Sequence, residues 1–364
     1  MKPKLRKQSF PSPVAAALFI TALTVTALSE AADTAGVDGT EVLDLYEVSD
    51  SQRQKLENGE VLNFDGKPYE SSSRELATDA TVLINQPLPA VLSKLTSEES
   101  LVPSRKVLAS GALPGIAGTS ADFSGVIYED SEKDNAEVER LLKARPGKEF
   151  NFSRQEWDWV TAQTKDSKNL DAEQKRRLAS DIMRHILEGR YRAYTEEGIE
   201  GIAPVYRGSK EVDVSNDLRK TTDTHKPIET WFPDYYKVLS SYPEGADCCE
   251  HIYRWLKVKI AKRPTFALTH TIVQKSDNYL LYTERFFYLN NAGNYGQVLL
   301  AWLPYEGNTY MGLAMSANTE VLDSLLGKML RSLGRNMAGE LVGDVLLDIK
   351  TDLEAGEAPG VPSD

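Results

Sequence analysis

The feature that most constrains the fold is a pair of strand-like segments near the C-terminus, residues 297–304 and 309–316. A turn sequence, Glu306-Gly307-Asn308, lies between them. With a two-residue turn, one face of the pair receives large apolar side chains from both segments, namely Val298, Leu300, Trp302, Met311, Leu313 and Met315. Because a slip of one residue would break up this face, the pattern predicts a β-hairpin that is buried on one side.

Three more β-prone segments precede this hairpin, and a helical pattern follows it. The three segments are residues 252–260, 265–274 and 279–290. From about Thr319, apolar residues recur at spacings of three and four, which predicts a long helix: Leu322, Leu325, Leu326, Met329, Leu330, Leu333, Met337 and Leu341. Glycines on this helix would let it lie close to a sheet or leave space beside it, unless Gly339 ends the helix early.

The first half of the chain contains a strand-to-helix switch and then a mostly helical stretch. Residues 77–85 have strand composition and are followed by Pro87-Leu88-Pro89, and proline both ends strand pairing and fits the first helical turn. Residues 130–250 are mostly helical, and the spacing at 228–239 predicts one amphipathic helix. We interpret the aromatic residues there as a buried helix face rather than a ligand-binding group: Trp231, Phe232, Tyr235 and Tyr236.

The first residues have the order of a secretory signal peptide. Four basic residues come first, an apolar stretch follows at residues 14–28, and Ser29-Glu30-Ala31 is a small-x-small cleavage site. A retained anchor is the alternative, but a membrane span needs ~20 predominantly apolar residues. We therefore expect removal of residues 1–31, a periplasmic or secreted protein, and no stable membrane span after processing.

The remaining sequence divides into three parts. Residues 32–73 are polar and predict an N-terminal extension with a short helix near 50–58. Residues 74–350 predict a single α+β domain in which 130–250 form a large helical insertion. Residues 351–364 are rich in Glu, Gly and Pro, which is typical of a disordered tail.

The charge of the chain argues against some partners. The formal net charge is −12, and removal of four basic residues and Glu30 with the signal segment would make it −15. Such a surface repels nucleic acid, so we expect no nucleic-acid partner. The sequence also lacks a phosphate loop, a dinucleotide fingerprint, a nucleophile elbow and a zinc-protease motif, so we expect no cofactor.

The two cysteines, Cys248 and Cys249, are adjacent. Neighbouring Cα atoms lie ~3.8 Å apart, below the usual disulfide range, so the pair is either two thiols or a vicinal disulfide. Asp247, Glu250 and His251 flank them, which raises the question of a metal. We expect no metal site, because back-to-back thiolates reach one tetrahedral ion poorly.

The stretch Thr81-Val82-Leu83-Ile84-Asn85-Gln86-Pro87-Leu88-Pro89-Ala90-Val91-Leu92 resembles the opening of START-like domains. With the serial strands and the long C-terminal helix, residues 74–350 resemble the helix-grip (SRPBCC) superfamily, although 130–250 are far more helical than the usual middle of that family. The resemblance implies a curved antiparallel sheet that grips the long C-terminal helix around an apolar cavity for a hydrophobic small molecule or lipid. The cavity would be lined by Val298, Leu300, Trp302, Met311, Leu313, Met315 and Met329. A close-packed core is the alternative for this face.

His270 interrupts an otherwise apolar strand face, and the length of the next turn decides its neighbour. A three-residue turn at 276–278 sets His270 opposite Glu284, a pair suited to general base catalysis. A two-residue turn sets it opposite Thr283 or Arg285 instead, which suits a hydrogen-bonded or anion-facing site. A hydrogen-bonded structural histidine is the third interpretation.

Three functional hypotheses follow from these patterns. The first is a non-enzymatic carrier of an apolar small molecule or lipid. The second is an enzyme that uses His270 with Glu284 or Arg285 in the same cavity. The third is a cell-envelope interaction protein that docks through its helical insertion, residues 130–250.

Overall fold

The computed structural model describes six segments: 37–64, 70–97, 107–115, 118–260, 262–323 and 325–355. The predicted signal peptide, residues 1–31, lies outside the described residues, as do residues 356–364 of the predicted tail 351–364, whereas residues 351–354 belong to a helix. The described strands are β1 Leu62–Phe64, β2 Glu75–Ile84, β3 Val107–Leu113, β4 Val205–Tyr206, β5 Glu211–Val212, β6 Glu250–Ile260, β7 Arg263–Lys275, β8 Leu280–Leu289, β9 Tyr295–Tyr305 and β10 Asn308–Asn318. The described helices are α1 Gly39–Leu45, α2 Asp50–Glu57, α3 Leu88–Ser97, α4 Glu132–Leu142, α5 Arg154–Thr164, α6 Ala172–Glu197, α7 Val214–Asp223, α8 Lys226–Trp231, α9 Pro233–Ser241 and α10 Leu325–Glu354.

The centre of the molecule is one eight-stranded antiparallel sheet. Its strand order is β1-β2-β10-β9-β8-β7-β6-β3, and every neighbouring pair is antiparallel. The sheet is open, with β1 and β3 at its edges. The mixed α and β composition, the antiparallel sheet and the long C-terminal helix agree with the predicted α+β class. In the described segments, no helix is both long and apolar enough to traverse a lipid bilayer.

The β9–β10 hairpin has the predicted register. Glu306 and Gly307 form the two-residue turn, and Gly307 adopts a φ of 83° that a side chain would oppose. The cross-strand pairs are Met311 with Trp302, Leu313 with Leu300 and Met315 with Val298. This prediction is confirmed, because turn length and the apolar pattern specify the same alignment.

One face of the sheet packs against α3 and α10. The buried cluster on this face contains the six apolar residues of the hairpin together with residues such as Val91 and Val342 from the two helices. Helix α10 lies mainly along β2 and continues through Gly339, so this glycine does not end it. We call this face the α10 face.

The opposite face is covered by the other helices, and we call it the helical-insertion face because six of them, α4 to α9, come from residues 130–250, the stretch predicted as an insertion. Helices α8 and α9 cover β8, β9 and β10 together with α1 and α2, whereas α4 to α7 cover β6, β7 and the C-terminal part of β8. The predicted short helix near 50–58 is present as α2. The segment predicted as an extension, 32–73, also contributes α1 and β1, and β1 pairs with β2.

The single helix predicted at residues 228–239 is wrong. The chain forms α8 and α9 instead, and Phe232 lies between them with a φ of −135°. Pro233 starts α9 and has no N–H to continue α8, so the apolar spacing runs through a break in the helix.

Candidate functional site

A partly enclosed pocket lies on the helical-insertion face, above β9 and β10. Its floor is a patch of small residues on adjacent central strands: Ala301, Gly312 and Ala314. Ala301 is directly opposite Gly312, and Ala314 is directly opposite Asp79 of β2. All three small residues remain partly accessible to solvent, although they lie in the middle of a covered sheet. The pocket exists because no large side chain rises from this part of the sheet.

The walls of the pocket are mostly apolar and aromatic. Trp231, Phe232 and Tyr235 come from α8, α9 and the break between them, and Tyr310 rises from β10. Tyr46, which caps α1, stacks on Phe64 of β1 with ring centroids 4.4 Å apart. Of these aromatic residues, Tyr46 and Trp231 are half-buried, whereas Tyr235 is buried.

The volume of the pocket is about 120 Å³. An engineered cavity of ~150 Å³ in another protein binds benzene, so this pocket suits a molecule of similar size or one end of a larger one. A whole membrane lipid would extend beyond it.

Asp79 provides a buried carboxylate in the pocket. Asp79 is 4% exposed, and neither of its carboxylate oxygens has a hydrogen-bond partner among the residues that the structure describes. Removal of the carboxylate from water raises its pKa from 3.8 to about 7, and burial is the cause. Near neutral pH the empty pocket therefore holds this carboxyl group partly protonated and partly ionised.

His225 also lines the pocket, at the start of α8. Burial lowers its pKa to about 4, because the charged imidazolium would lose its hydration. At neutral pH the ring is therefore neutral, and His225 supplies no positive charge to offset Asp79.

His270, the histidine singled out from the sequence, lies on the same face at the centre of a directional hydrogen-bond chain. His251 Nε2 is 2.8 Å from the carbonyl oxygen of Ala246, which can only accept, so this nitrogen donates. His251 Nδ1 then accepts from His270 Nε2 at 2.8 Å, and His270 Nδ1 accepts from the hydroxyl of Tyr194 at 2.8 Å. Tyr194 in turn accepts a longer bond, 3.3 Å, from Arg285. One arrangement of protons thus satisfies the whole chain.

The pKa shifts agree with this arrangement. Burial, with smaller effects from His251 and Arg285, lowers the pKa of His270 well below its ordinary value. Burial is also the main cause that lowers the pKa of His251. Both rings are therefore neutral at neutral pH, as the proton arrangement requires. With both ring nitrogens of His270 engaged and its side chain fully buried, the geometry favours a structural histidine.

The candidate catalytic pair of His270 and Glu284 does not form. The loop after β7 has four residues, with Lys275 opposite Leu280, and this sets His270 opposite Arg285. Glu284 pairs with Thr271 and points to the α10 face. Arg285 is fully buried and donates to three neutral oxygens, those of Gln297, Leu239 and Tyr194.

The ligand-binding residues predicted from the hairpin are all buried on the α10 face. Val298, Leu300, Trp302, Met311, Leu313 and Met315 pack in one cluster with α3 and α10. Leu300, next to Ala301, and Leu313, between Gly312 and Ala314, also border the pocket. Met329 belongs to α10, but its side chain lies outside the described residues.

Sequence reasoning missed the pocket residues for identifiable reasons. Asp79 is a single acidic residue in an otherwise β-prone segment, and its burial follows only from the central position of β2. Ala301, Gly312 and Ala314 alternate with the large apolar residues that attracted attention. The aromatic residues at 231–236 are buried or half-buried as predicted, and three of them also line the pocket.

Cys248 and Cys249 form a disulfide, which decides between the two alternatives raised by the sequence. Both ring nitrogens of the neighbouring His251 are engaged in the chain described above. In the segments that the structure describes, no group of three or more His, Cys, Asp or Glu side chains is arranged to hold a metal ion.

Comparisons with known proteins add no relative: no family model, no curated protein and no solved structure matches the chain. The functional conclusions below therefore depend on the residues and the geometry alone.

Proposed function

We propose that this protein is an exported, non-enzymatic binding protein that holds a small apolar molecule, or the apolar end of a larger one, in the pocket above β9 and β10. The observation that supports this proposal is the accessible floor of small residues beneath apolar and aromatic walls. Ligand pockets are typically concave and mostly apolar, with a few polar groups that fix orientation. Asp79 and His225 are such polar groups here.

The site differs from the one expected from the sequence. The expected cavity lay between the hairpin and the long helix, but the described side chains there pack together. The pocket on the helical-insertion face offers accessible volume and a polar anchor, so it is the better candidate for a binding site. Export remains part of the proposal through the signal-peptide pattern of residues 1–31 and a periplasmic or secreted location.

We also propose that the fold is a distant relative of the helix-grip superfamily. The strand β2, the Pro87 turn and α3 follow in the order of START-like domains, and α10 lies along β2 on the same face. In such a relative the sheet would curve around α10. An experimental structure with a flat sheet beneath α10 would contradict this part of the proposal.

The binding proposal is tested by occlusion of the pocket. Ala301→Leu adds three carbon atoms to the floor of the pocket. Ala301 lies on β9, and β10 separates it from β2, which carries Asp79. Benzyl alcohol, which matches the size of the pocket, should bind the wild-type protein and lose most of its affinity for this variant, as measured by ligand-observed NMR or calorimetry. The matched control is Ala172→Leu, an exposed alanine in the first turn of α6, which should bind like the wild type.

Native mass spectrometry and solvent extraction of the purified protein provide a second test. We expect a small apolar molecule to accompany the wild-type protein and to be absent from Ala301→Leu. If the wild-type protein contains no such molecule and benzyl alcohol binds the wild type and Ala301→Leu equally, the proposal is wrong.

A further inference from the structure

Asp79 differs from the other polar groups around it because no described residue donates a hydrogen bond to it. Both of its oxygens are buried without a hydrogen-bond donor, and they belong to a side chain that lines the pocket. By contrast, Glu75 on the same strand accepts hydrogen bonds from Ser71 and Thr221. An ionised carboxylate out of water is unfavourable unless a cation or several donors compensate it.

None of the described residues that line the rest of the pocket supplies a positive charge. The other titratable groups that line it are His225, next to α8, and three tyrosines: Tyr46 beside α1, Tyr235 on α9 and Tyr310 on β10. Burial keeps His225 neutral and raises the pKa of Tyr235 above its ordinary range, so neither compensates the carboxylate. Since no described lining residue compensates Asp79, a cationic ligand would supply the missing charge.

The aromatic walls suit the same kind of ligand. The faces of Trp, Tyr and Phe rings attract organic cations, most strongly when the site excludes water. Trp231, Phe232 and Tyr310 are such rings, and they line the same pocket as the carboxylate of Asp79. The formal net charge of −12 also favours the approach of cations from solution.

From this geometry we propose that the ligand is a small organic ammonium ion, with a primary or secondary amine that donates to Asp79 and an apolar body that packs against the aromatic walls. This inference rests on the proposed function and names its ligand class. A primary or secondary ammonium fits better than a quaternary one, because each oxygen of Asp79 lacks a donor and only an N–H can supply it.

Benzylammonium and benzyl alcohol are matched probes for this proposal, because they share a ring and differ in the charged donor. Calorimetric titration of the wild-type protein should give a higher affinity for benzylammonium. Asp79→Asn, which keeps the shape of the side chain, should lose roughly tenfold to a hundredfold in benzylammonium affinity. It should retain its affinity for benzyl alcohol, and Ala301→Leu should lose affinity for both probes.

Proton release by the wild-type protein gives a readout that needs no variant. At pH 6, a group with a pKa of about 7 is about nine-tenths protonated in the empty pocket. An ammonium ion that pairs with ionised Asp79 should therefore displace close to one proton on binding, whereas benzyl alcohol should displace none. His225 is already neutral at this pH and burial raises the pKa of Tyr235, so neither group contributes. Titration in two buffers with different ionisation enthalpies measures this number.

The outcomes separate the two proposals. If benzyl alcohol binds and Ala301→Leu abolishes its binding, but Asp79→Asn leaves benzylammonium affinity unchanged or no proton is released, the ammonium inference is wrong and the binding function stands. If neither probe binds the wild-type protein, both proposals fail.

Discussion

Substitution of Asp79 by Asn should stabilise the protein, and the stabilisation should grow with pH. The pKa of Asp79 is about 7 in the folded state, against an ordinary value of 3.8 that applies to the unfolded chain. The folded protein therefore binds the proton of this group more tightly than the unfolded chain does. The contribution of Asp79 to stability is complete below pH 3.8 and is lost as pH rises through about 7.

The magnitude follows from the size of the shift. Each pKa unit corresponds to ~1.36 kcal/mol, so the change from 3.8 to about 7 lowers the free energy of unfolding by about 4 kcal/mol at pH values above both. About 2.5 kcal/mol of this loss falls between pH 5 and pH 8. The asparagine variant does not titrate at this position, so its free energy of unfolding should exceed that of the wild type by an amount that increases by about 2.5 kcal/mol over this interval.

Urea unfolding of both proteins at pH 5, 6, 7 and 8, without ligand, measures this difference. Other groups titrate in the same interval, including the histidines of the unfolded chain, but they are common to both proteins and cancel in the comparison. Asp158→Asn is the matched control for removal of a carboxylate, because Asp158 is exposed on α5 and does not line the pocket. A difference between Asp79→Asn and the wild type that stays constant with pH would refute the reasoning, since Asp79 would then have the same pKa in both states.

Three further predictions concern the stability of the fold. His270→Ala should lower the free energy of unfolding by ~3–5 kcal/mol in urea titrations, because it leaves a cavity and breaks the hydrogen-bond chain; a loss below 1 kcal/mol would contradict a structural role. Asp134→Asn should lower the free energy of unfolding by about 3–5 kcal/mol in the same measurement, because it removes the counter-charge of buried Lys257. A second change of Lys257 to Met should recover much of this loss. If the two changes lower the free energy of unfolding additively, the argument is contradicted. Gly198→Ala should lower the melting temperature, because Gly198 has a φ of 64° and an added Cβ would overlap a backbone carbonyl. Gly189→Ala is the matched control on α6, where an added Cβ meets open space, and it should be neutral or stabilise the protein by up to ~1 kcal/mol. Equal effects of the two substitutions would contradict the strain argument.

The sequence predicts those parts of the fold in which local and long-range signals agree. The β9–β10 hairpin is an example, because its turn residues and its apolar alternation specify the same register. The α8–α9 region shows the opposite case. Its apolar spacing suggests one helix, and only Pro233, which cannot donate to the preceding turn, marks the break. A stronger weight on that proline would have corrected the prediction.

The candidate site could not be predicted in the same way, because it depends on tertiary position. His270 was identifiable as a polar residue on an apolar strand face, but its partners come from α6 and β6, far away in sequence. Asp79 has no distinguishing neighbour in the chain. Its burial depends on β2 lying between β1 and β10 with α1, α8 and α9 above the sheet, which no local pattern encodes.

His270 and Asp79 show how a buried polar group that serves the fold can be separated from one that serves a ligand. Both lie on the helical-insertion face of the sheet, and both have pKa values shifted by burial. His270 is satisfied by protein atoms at both ring nitrogens, so its surroundings explain it completely. Among the buried carboxylates of the described residues, Asp79 is the one with neither oxygen satisfied, and it lies beside three small residues that solvent can reach. Folded proteins leave few buried charges without a partner, because such charges oppose folding at neutral pH. A carboxylate that destabilises the empty protein and faces an accessible pocket is therefore best explained by a partner that arrives from solution.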